Sequence, residues 1–176
     1  MPPILYEIDP SHSSVHFSVR HLMLSNVRGE FGKVTGTAKF DQQNPANSTV
    51  EATIDASSIR TRDAQRDTHL KSADFLDVEK FPTITFRSKK IEAAPGGGKV
   101  WGDLTIHGVT REVVLEVEGP TSEIKDPWGK QRIGASATTK LNRKDFGLTW
   151  NSALETGGVV VGDEVKITID VEFVRA

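Results

Sequence analysis

Glu164-Val-Lys-Ile-Thr-Ile-Asp-Val-Glu-Phe173 alternates polar and apolar residues without a break. Val165, Ile167, Ile169, Val171 and Phe173 fall on one face. Glu164, Lys166, Thr168, Asp170 and Glu172 fall on the other. A period of two over this length predicts a β-strand with one dry face and one wet face. The pattern recurs upstream. Val15, Phe17 and Val19 alternate with Ser14, His16, Ser18 and Arg20; Val50, Ala52, Ile54 and Ala56 alternate with Glu51, Thr53 and Asp55. Ile84 and Phe86 share a face within 83–89. Val100, Gly102, Leu104 and Ile106 form another such row, as do Val113, Leu115 and Val117, and Ile133, Ala135, Ala137, Thr139 and Leu141.

Turn signals separate these rows. Ser25 to Gly29 reads as a reversal, and Phe31 to Phe40 as the strand after it, with Gly32 and Gly36 allowing a bend. Asp41 to Ser48, Ala94 to Gly98, His107-Gly108 and Asp126 to Gly129 read as loops or turns, and Gly157-Gly158 precedes the last strand. Only Ser57 to Pro82 breaks the period. That stretch is strongly charged, and Asp63 is placed to cap a short helix, with a further turn near Asp77 to Lys80. Asn142 to Gly147 reads as a second short turn or helical segment. The fold class predicted is all-β, an antiparallel barrel of about eight strands with a short helical insertion. All 176 residues are expected to form one domain.

Eight tilted strands leave an interior that side chains fill or that holds one small ligand. At ~3.3 Å per residue, ten residues run about 33 Å, and tilt lowers the barrel height to roughly 25 Å. Inward positions such as Ala52, Ala56, Gly102, Ala135 and Ala137 are small, so a cavity is expected.

Composition narrows the function. The 22 basic and 24 acidic residues give a net charge of −2 and no basic stripe, which argues against nucleic acid as a partner. There is no cysteine, hence no disulfide and no thiolate chemistry. Met1 to Asp9 lacks a basic segment followed by a long apolar one, so a cytoplasmic location is expected, or a periplasmic one if a leader has been removed. No run approaches the ~20 apolar residues of a membrane span.

Chemical motifs are few. His12 and His16 lie about 13 Å apart along an extended strand, too far to share a metal, and no metal site is expected. Ala94-Pro-Gly-Gly-Gly98 lacks the Lys-Ser/Thr of a phosphate cradle. There is no Gly-x-Ser-x-Gly elbow. Trp150 follows Phe146 and Leu148 and suits either a pocket mouth or ordinary core packing.

Several segments in order resemble the YceI-like family. They are His12-Ser-Ser-Val-His-Phe-Ser-Val-Arg-His-Leu22, Val27-Arg-Gly-Glu-Phe31, Ile59-Arg-Thr61, Arg66-Asp-Thr-His-Leu-Lys-Ser-Ala-Asp-Phe75, Phe81-Pro82, Gly102-Asp-Leu-Thr-Ile-His-Gly-Val-Thr110 and Asn142-Arg-Lys-Asp-Phe-Gly-Leu148. The resemblance implies a lipocalin-like barrel, usually dimeric, holding a long isoprenoid or related lipid. Many members are exported. It implies no enzymatic motif and no required cofactor beyond a bound polyisoprenoid or quinone. A homodimer is therefore expected, with Leu22, Met23, Leu24 and Val27 as exposed apolar positions.

The alternation assigns the ligand-binding lining to Val15, Phe17, Val19, Phe40, Ile54, Phe86 and Leu104. It continues through Ile106, Leu115, Ile133, Leu141, Ile167 and Ile169, with Trp150 at the mouth. Arg20, Arg66 and His69 are the head-group candidates, although Arg66 equally suits pairing with Asp63 or Asp67. Two other readings stand beside the binding protein. An enzyme acting on a lipid needs His107 or Asp74 turned inward. A packed structural or stress-response barrel needs neither cavity nor ligand.

Overall fold

The computed structural model describes residues 2–152 and 159–176. The strands in chain order are β1 (Ile4–Ile8), β2 (Ser14–His21), β3 (Ser25–Phe31), β4 (Val34–Phe40), β5 (Thr49–Asp55), β6 (Ile59–Arg60), β7 (Thr83–Ala94), β8 (Gly97–Ile106), β9 (Val109–Glu118), β10 (Ile124–Lys125), β11 (Gln131–Asn142) and β12 (Val161–Arg175). The one α-helix among the described residues is α1 (Ala64–Lys71).

These strands make eight staves. β1 continues into β2 through a single turn of 3₁₀ helix at Pro10–His12. Their partners, β4 and β3, are likewise two halves of one stave, and so are β5 and β6. β7, β8, β9, β11 and β12 complete the set, each antiparallel to the stave before it. β12 then pairs with β2 and β1, so the meander closes. Closure removes most of the unpaired backbone donors and acceptors of an open sheet, the short seams being β9–β11 at 116–118 with 136–138 and β3–β6 at 30–31 with 59–60. The expected barrel of eight antiparallel strands is the observed fold.

Two expectations fail at the first hairpin. Ser25 to Gly29 is not a turn but most of β3, and Val19 pairs with Val27 inside it. The reversal lies at Leu22 and Met23, with φ of +52° and +58°. Such turns normally carry Asn or Gly, so no residue here announces it. Left-handed backbone costs these two side chains about 1–2 kcal/mol each. The strand expected from Phe31 to Phe40, with a bend allowed at its glycines, divides at Gly32 and Lys33, so Phe31 ends β3 instead of opening β4.

β1 is a strand that local pattern does not predict, because Ile4-Leu5-Tyr6-Glu7-Ile8 lacks clean alternation. Tyr6 is nonetheless wholly buried. The loop expected at Ala94 to Gly98 shrinks to Pro95-Gly96, with Gly97 and Gly98 already in β8. A side chain at Gly97 would collide with the Val117 carbonyl across the ladder. Ala56 leaves the strand row and is buried in a 3₁₀ turn, Ala56–Ser58. The predicted helix is present, and the Asp63 carboxylate accepts a hydrogen bond from the Arg66 amide at 3.0 Å. The Asn142–Gly147 segment is a 3₁₀ turn over Arg143–Phe146 closed by Gly147 at φ +76°. Gly157-Gly158 lies outside the described residues.

Below the seam between β11 and β12 sits a shared cation. Arg132 Nε donates to Asp126 Oδ2 at 2.7 Å, and its Nη1 donates to Asp9 Oδ2 at 2.8 Å and Glu172 Oε1 at 2.9 Å. It joins β11, β12, the β1–β2 bend and the 126–130 turn, and its side chain is only 16% exposed. The guanidinium is the main reason the Asp9 and Asp126 carboxyls titrate below the usual carboxylate range. A depressed native pKa stabilises the fold above the unfolded value, near ~3.9, and that stabilisation drains as pH falls through the native one. Arg132→Met should therefore lower Tm at neutral pH, and its gap from the parent should narrow below about pH 4. Thermal unfolding followed at a series of pH values checks both the loss and its direction.

Candidate functional site

The inward rows of the eight staves enclose two apolar cavities in line along the barrel. The first, of about 280 Å³, lies toward the β4–β5 and β7–β8 turns, and the second, of about 300 Å³, lies toward α1 and the β2–β3 hairpin. They meet at a belt formed by Val15, Phe31, Ile84, Ile106 and Ile167, which borders both.

The residues predicted from alternation fall on these walls. Phe40, Ile54, Phe86, Leu104, Leu115, Ile133 and Ile169 line the first cavity. Phe17, Val19, Leu141 and Trp150 line the second. Val15, Ile106 and Ile167 border both. Period two explains this directly, since every second side chain of a closed stave points inward. Gly102 makes room for the Phe86 ring, which a Cβ at that position would strike. Val27, expected on the surface, lines the second cavity instead.

The two ends differ in their polar groups. Lys39, Glu92 and Lys99 reach the rim of the first cavity. The second is bordered by Arg20, His21, Arg66, His69 and Arg143, with no carboxylate among its described lining residues. Arg20 lies on the exposed rim, where its Nη2 donates to the Met23 carbonyl at 2.7 Å. Arg66 pairs with neither Asp63 nor Asp67. Its Nε donates to Thr61 Oγ1 at 2.8 Å and its Nη2 to the Thr61 carbonyl, while Asp67 accepts from the Thr61 amide at 2.9 Å. Among the described residues Arg20 and Arg66 have no ion-pair partner.

His69 is held more tightly than the sequence suggests. Its Nε2 lies 2.8 Å from Asp74 Oδ2, and its ring packs edge-on against Phe75 and Trp150 with centroids 5.1 and 4.8 Å away. Trp150 thus belongs to an aromatic cluster at the cavity wall. Asp74, one of the two groups an enzyme reading would turn inward, is half exposed and engaged with His69. The other, His107, packs edge-on against Phe81 at the β8–β9 turn and borders neither cavity.

His12 and His16 serve separate local roles. His12 Nδ1 lies 3.0 Å from Asp9 Oδ2, and His16 Nε2 lies 3.0 Å from Ser14 Oγ. Asp9, His12 and Glu172 do bring ligand-type atoms within 4.8 Å of one another. The Arg132 guanidinium already supplies the positive charge there, bonded to both carboxylates.

Arg143 is not among the residues predicted from sequence. It is 4% exposed and spends its donors on main chain. Nε donates to the Gly162 carbonyl at 2.8 Å, Nη1 to the carbonyls of Leu148 and Trp150 at 2.6 and 2.9 Å, and Nη2 to that of Val161 at 3.3 Å. Burial lowers its pKa, and Asp163 at 3.8 Å opposes that shift. A guanidinium suits this task because its donors form a rigid fork. Asn151 adds to the strap, donating from Nδ2 to the Val161 carbonyl at 2.8 Å. Together they pin the Leu148–Ser152 segment against the start of β12, at the same end of the second cavity as the β2–β3 hairpin. Nothing in local spacing marks Arg143, whose partners come from two separate segments.

This geometry defines a lipocalin-like β-barrel with an elongated apolar interior. The chain belongs to the YceI-like family: the model of the YceI-like domain matches residues 6–173. It is 39% identical over 170 residues to the UPF0312 protein SA2479 of Staphylococcus aureus (strain N315), covering 96% of each chain. Among solved structures it is similar to the YCEI protein of Campylobacter jejuni, with 34% identity, a TM-score of 0.74 and coverage of 89% and 90%. It shares its fold with a polyisoprenoid binding domain from Saccharophagus degradans, at 15% identity and a TM-score of 0.70, covering 98% and 99%. No helix among the described residues is long and apolar enough to cross a membrane.

Arg143→Ala should cost about 3 kcal/mol, since it leaves several buried carbonyls without donors. Arg143→Lys should recover only part, because one ammonium cannot span the same acceptors. Urea unfolding of the two variants beside the parent measures both losses.

Proposed function

We propose that this barrel binds a long-chain isoprenoid or related amphiphilic lipid, of the quinone or polyprenyl phosphate type, and carries, stores or shields it without transforming it. The observation that carries the reading is the pair of aligned apolar cavities meeting at a single belt. An extended hydrocarbon chain fits that shape, whereas a compact polar substrate would leave its hydrogen bonds unmet. Burial contributes about 0.8 kcal/mol per methylene, less the cost of ordering the chain. The binding described for the Saccharophagus degradans domain supports the same class of ligand.

In this reading the prenyl chain crosses the belt, and the polar head lies at the end bordered by Arg20, Arg66 and His69. Arg66 suits the task because its direct acceptors are the neutral hydroxyl and carbonyl of Thr61, with the Asp67 carboxylate engaged on the far side of that hydroxyl. The non-catalytic part of the proposal rests on the roles of Asp74 and His107, which serve His69 and Phe81 rather than a reacting group. The reading also includes a homodimer, which sedimentation at micromolar concentration showing only a 19.3 kDa species would remove.

Native mass spectrometry of the purified protein, followed by organic extraction, should reveal an isoprenoid-containing lipid. Phe86→Ala removes contact area from the first cavity and should weaken retention while the barrel stays folded, at a stability cost of about 1–3 kcal/mol. Ile167→Asp places a carboxylate at the belt and should abolish retention. Lys166→Ala, on the outer face, should change neither retention nor Tm by much. If both inward variants remain folded and keep lipid like the parent, the cavities are not the binding site.

A further inference from the structure

The β2–β3 hairpin ends in a feature that the barrel does not need. Leu22 and Met23 hold the two left-handed positions of the turn, where Asn-Gly would sit without strain. Met23 is 58% exposed and Leu24 is 79% exposed. Strain kept at an exposed apolar turn points to a role outside the fold.

The surroundings say what that role is. The Leu22 amide donates to the Val160 carbonyl at 2.8 Å, which sets the tip beside Val159, itself 37% exposed. The apolar patch therefore spans two segments. Arg20 braces the turn through the Met23 carbonyl, and Arg28 lies exposed on the neighbouring strand. Neither arginine has an ion-pair partner among the described residues. From Pro10 to Gly29 there is no acidic residue, in a chain that has 24 of them. Arg20 and His21 on the hairpin, and Val160 beside it, also border the second cavity.

We propose that the Leu22–Leu24 tip, with Arg20 and Arg28, is a membrane-docking finger that inserts into an anionic lipid surface and sets the second cavity's mouth against it. Exposed aliphatic side chains beside two arginines that have no ion-pair partner among the described residues suit the boundary between acyl chains and anionic head groups. A second copy of this chain fits less well. A partner seated on this tip would lie across the cavity rim that a lipid must pass. The inference rests on the proposed lipid-carrying function, but its test does not.

The test is co-sedimentation of the full chain with phosphatidylcholine vesicles, with and without phosphatidylglycerol. The parent should bind the anionic vesicles and bind them less as salt rises. Leu24→Asp should weaken that binding about tenfold or more, since it replaces a buried aliphatic contact by a charge. Met23→Gly should weaken it too while leaving Tm equal or higher, because glycine relieves the left-handed backbone. That pairing separates docking from simple misfolding. Arg28→Gln should reduce only the phosphatidylglycerol dependence. Co-purifying lipid is measured in the same samples. Vesicle binding lost in Leu24→Asp with lipid retained supports both readings, and the same loss with no lipid in any sample supports the finger alone. Vesicle binding unchanged in both tip variants overturns the proposal. So does a parent that ignores vesicles while Leu24→Asp converts a dimer to a monomer, which would make the tip an interface between copies.

Discussion

β12 is hydrogen-bonded along both of its long edges, and the rest of the molecule depends on that. One edge takes β11 in unbroken register from Arg132–Val174 to Asn142–Glu164. The other takes β2 as far as Asp170–Ser14 and then β1 from Phe173–Ile8, the change of partner falling beside the Pro10–His12 turn. Without this double engagement the meander would be an open sheet with two exposed edges and an apolar face open to water. With it, the apolar rows become the inside of a tube. The interior exists because the chain's last strand finds its first.

Two arginines secure this closure from opposite ends, by different means. Arg132 gathers three carboxylates from segments that are distant in sequence, and is stabilised by charge. Arg143 meets its needs mainly with carbonyl oxygens and acts as a rigid multipoint donor. The first arrangement is sensitive to acid, whereas the second has no acceptor that titrates at its core. The barrel is thus tied by an ionic joint at the first-cavity end and by a nearly neutral one at the second. At the second-cavity end Arg20 and Arg66 bond to neutral oxygens and have no ion-pair partner among the described residues.

Much of this architecture is legible in the amino-acid order alone. β2, β5, β8, β9, β11 and β12 carry a period of two, and in a closed wall that period places Phe17, Phe86 or Ile169 inside. What is illegible follows from the same physics. The Leu22-Met23 turn carries no turn-forming residue, so Ser25-Asn26 and Gly29 draw the expected reversal to the wrong place. Val27 is assigned to the surface along with it. β1 escapes because its burial depends on partners over thirty residues away, such as Phe40, and not on its own pattern. Arg132 reaches Asp9 across 123 positions, a contact that only closure creates. Arg66 shows the limit at close range: two carboxylates lie within three residues, yet it chooses Thr61.

The belt of Val15, Phe31, Ile84, Ile106 and Ile167 gives the interior a waist. A flexible chain lying through a waist is blocked sideways by staves that are paired along β2, β12 and β11 and along β7, β8 and β9. It must leave end first, each segment passing the same five side chains in turn. Departure is then a reptation rather than a lift-off, and its duration grows with the number of segments that pass. A short and a long occupant with equal affinity per segment would differ in residence time as well as in equilibrium.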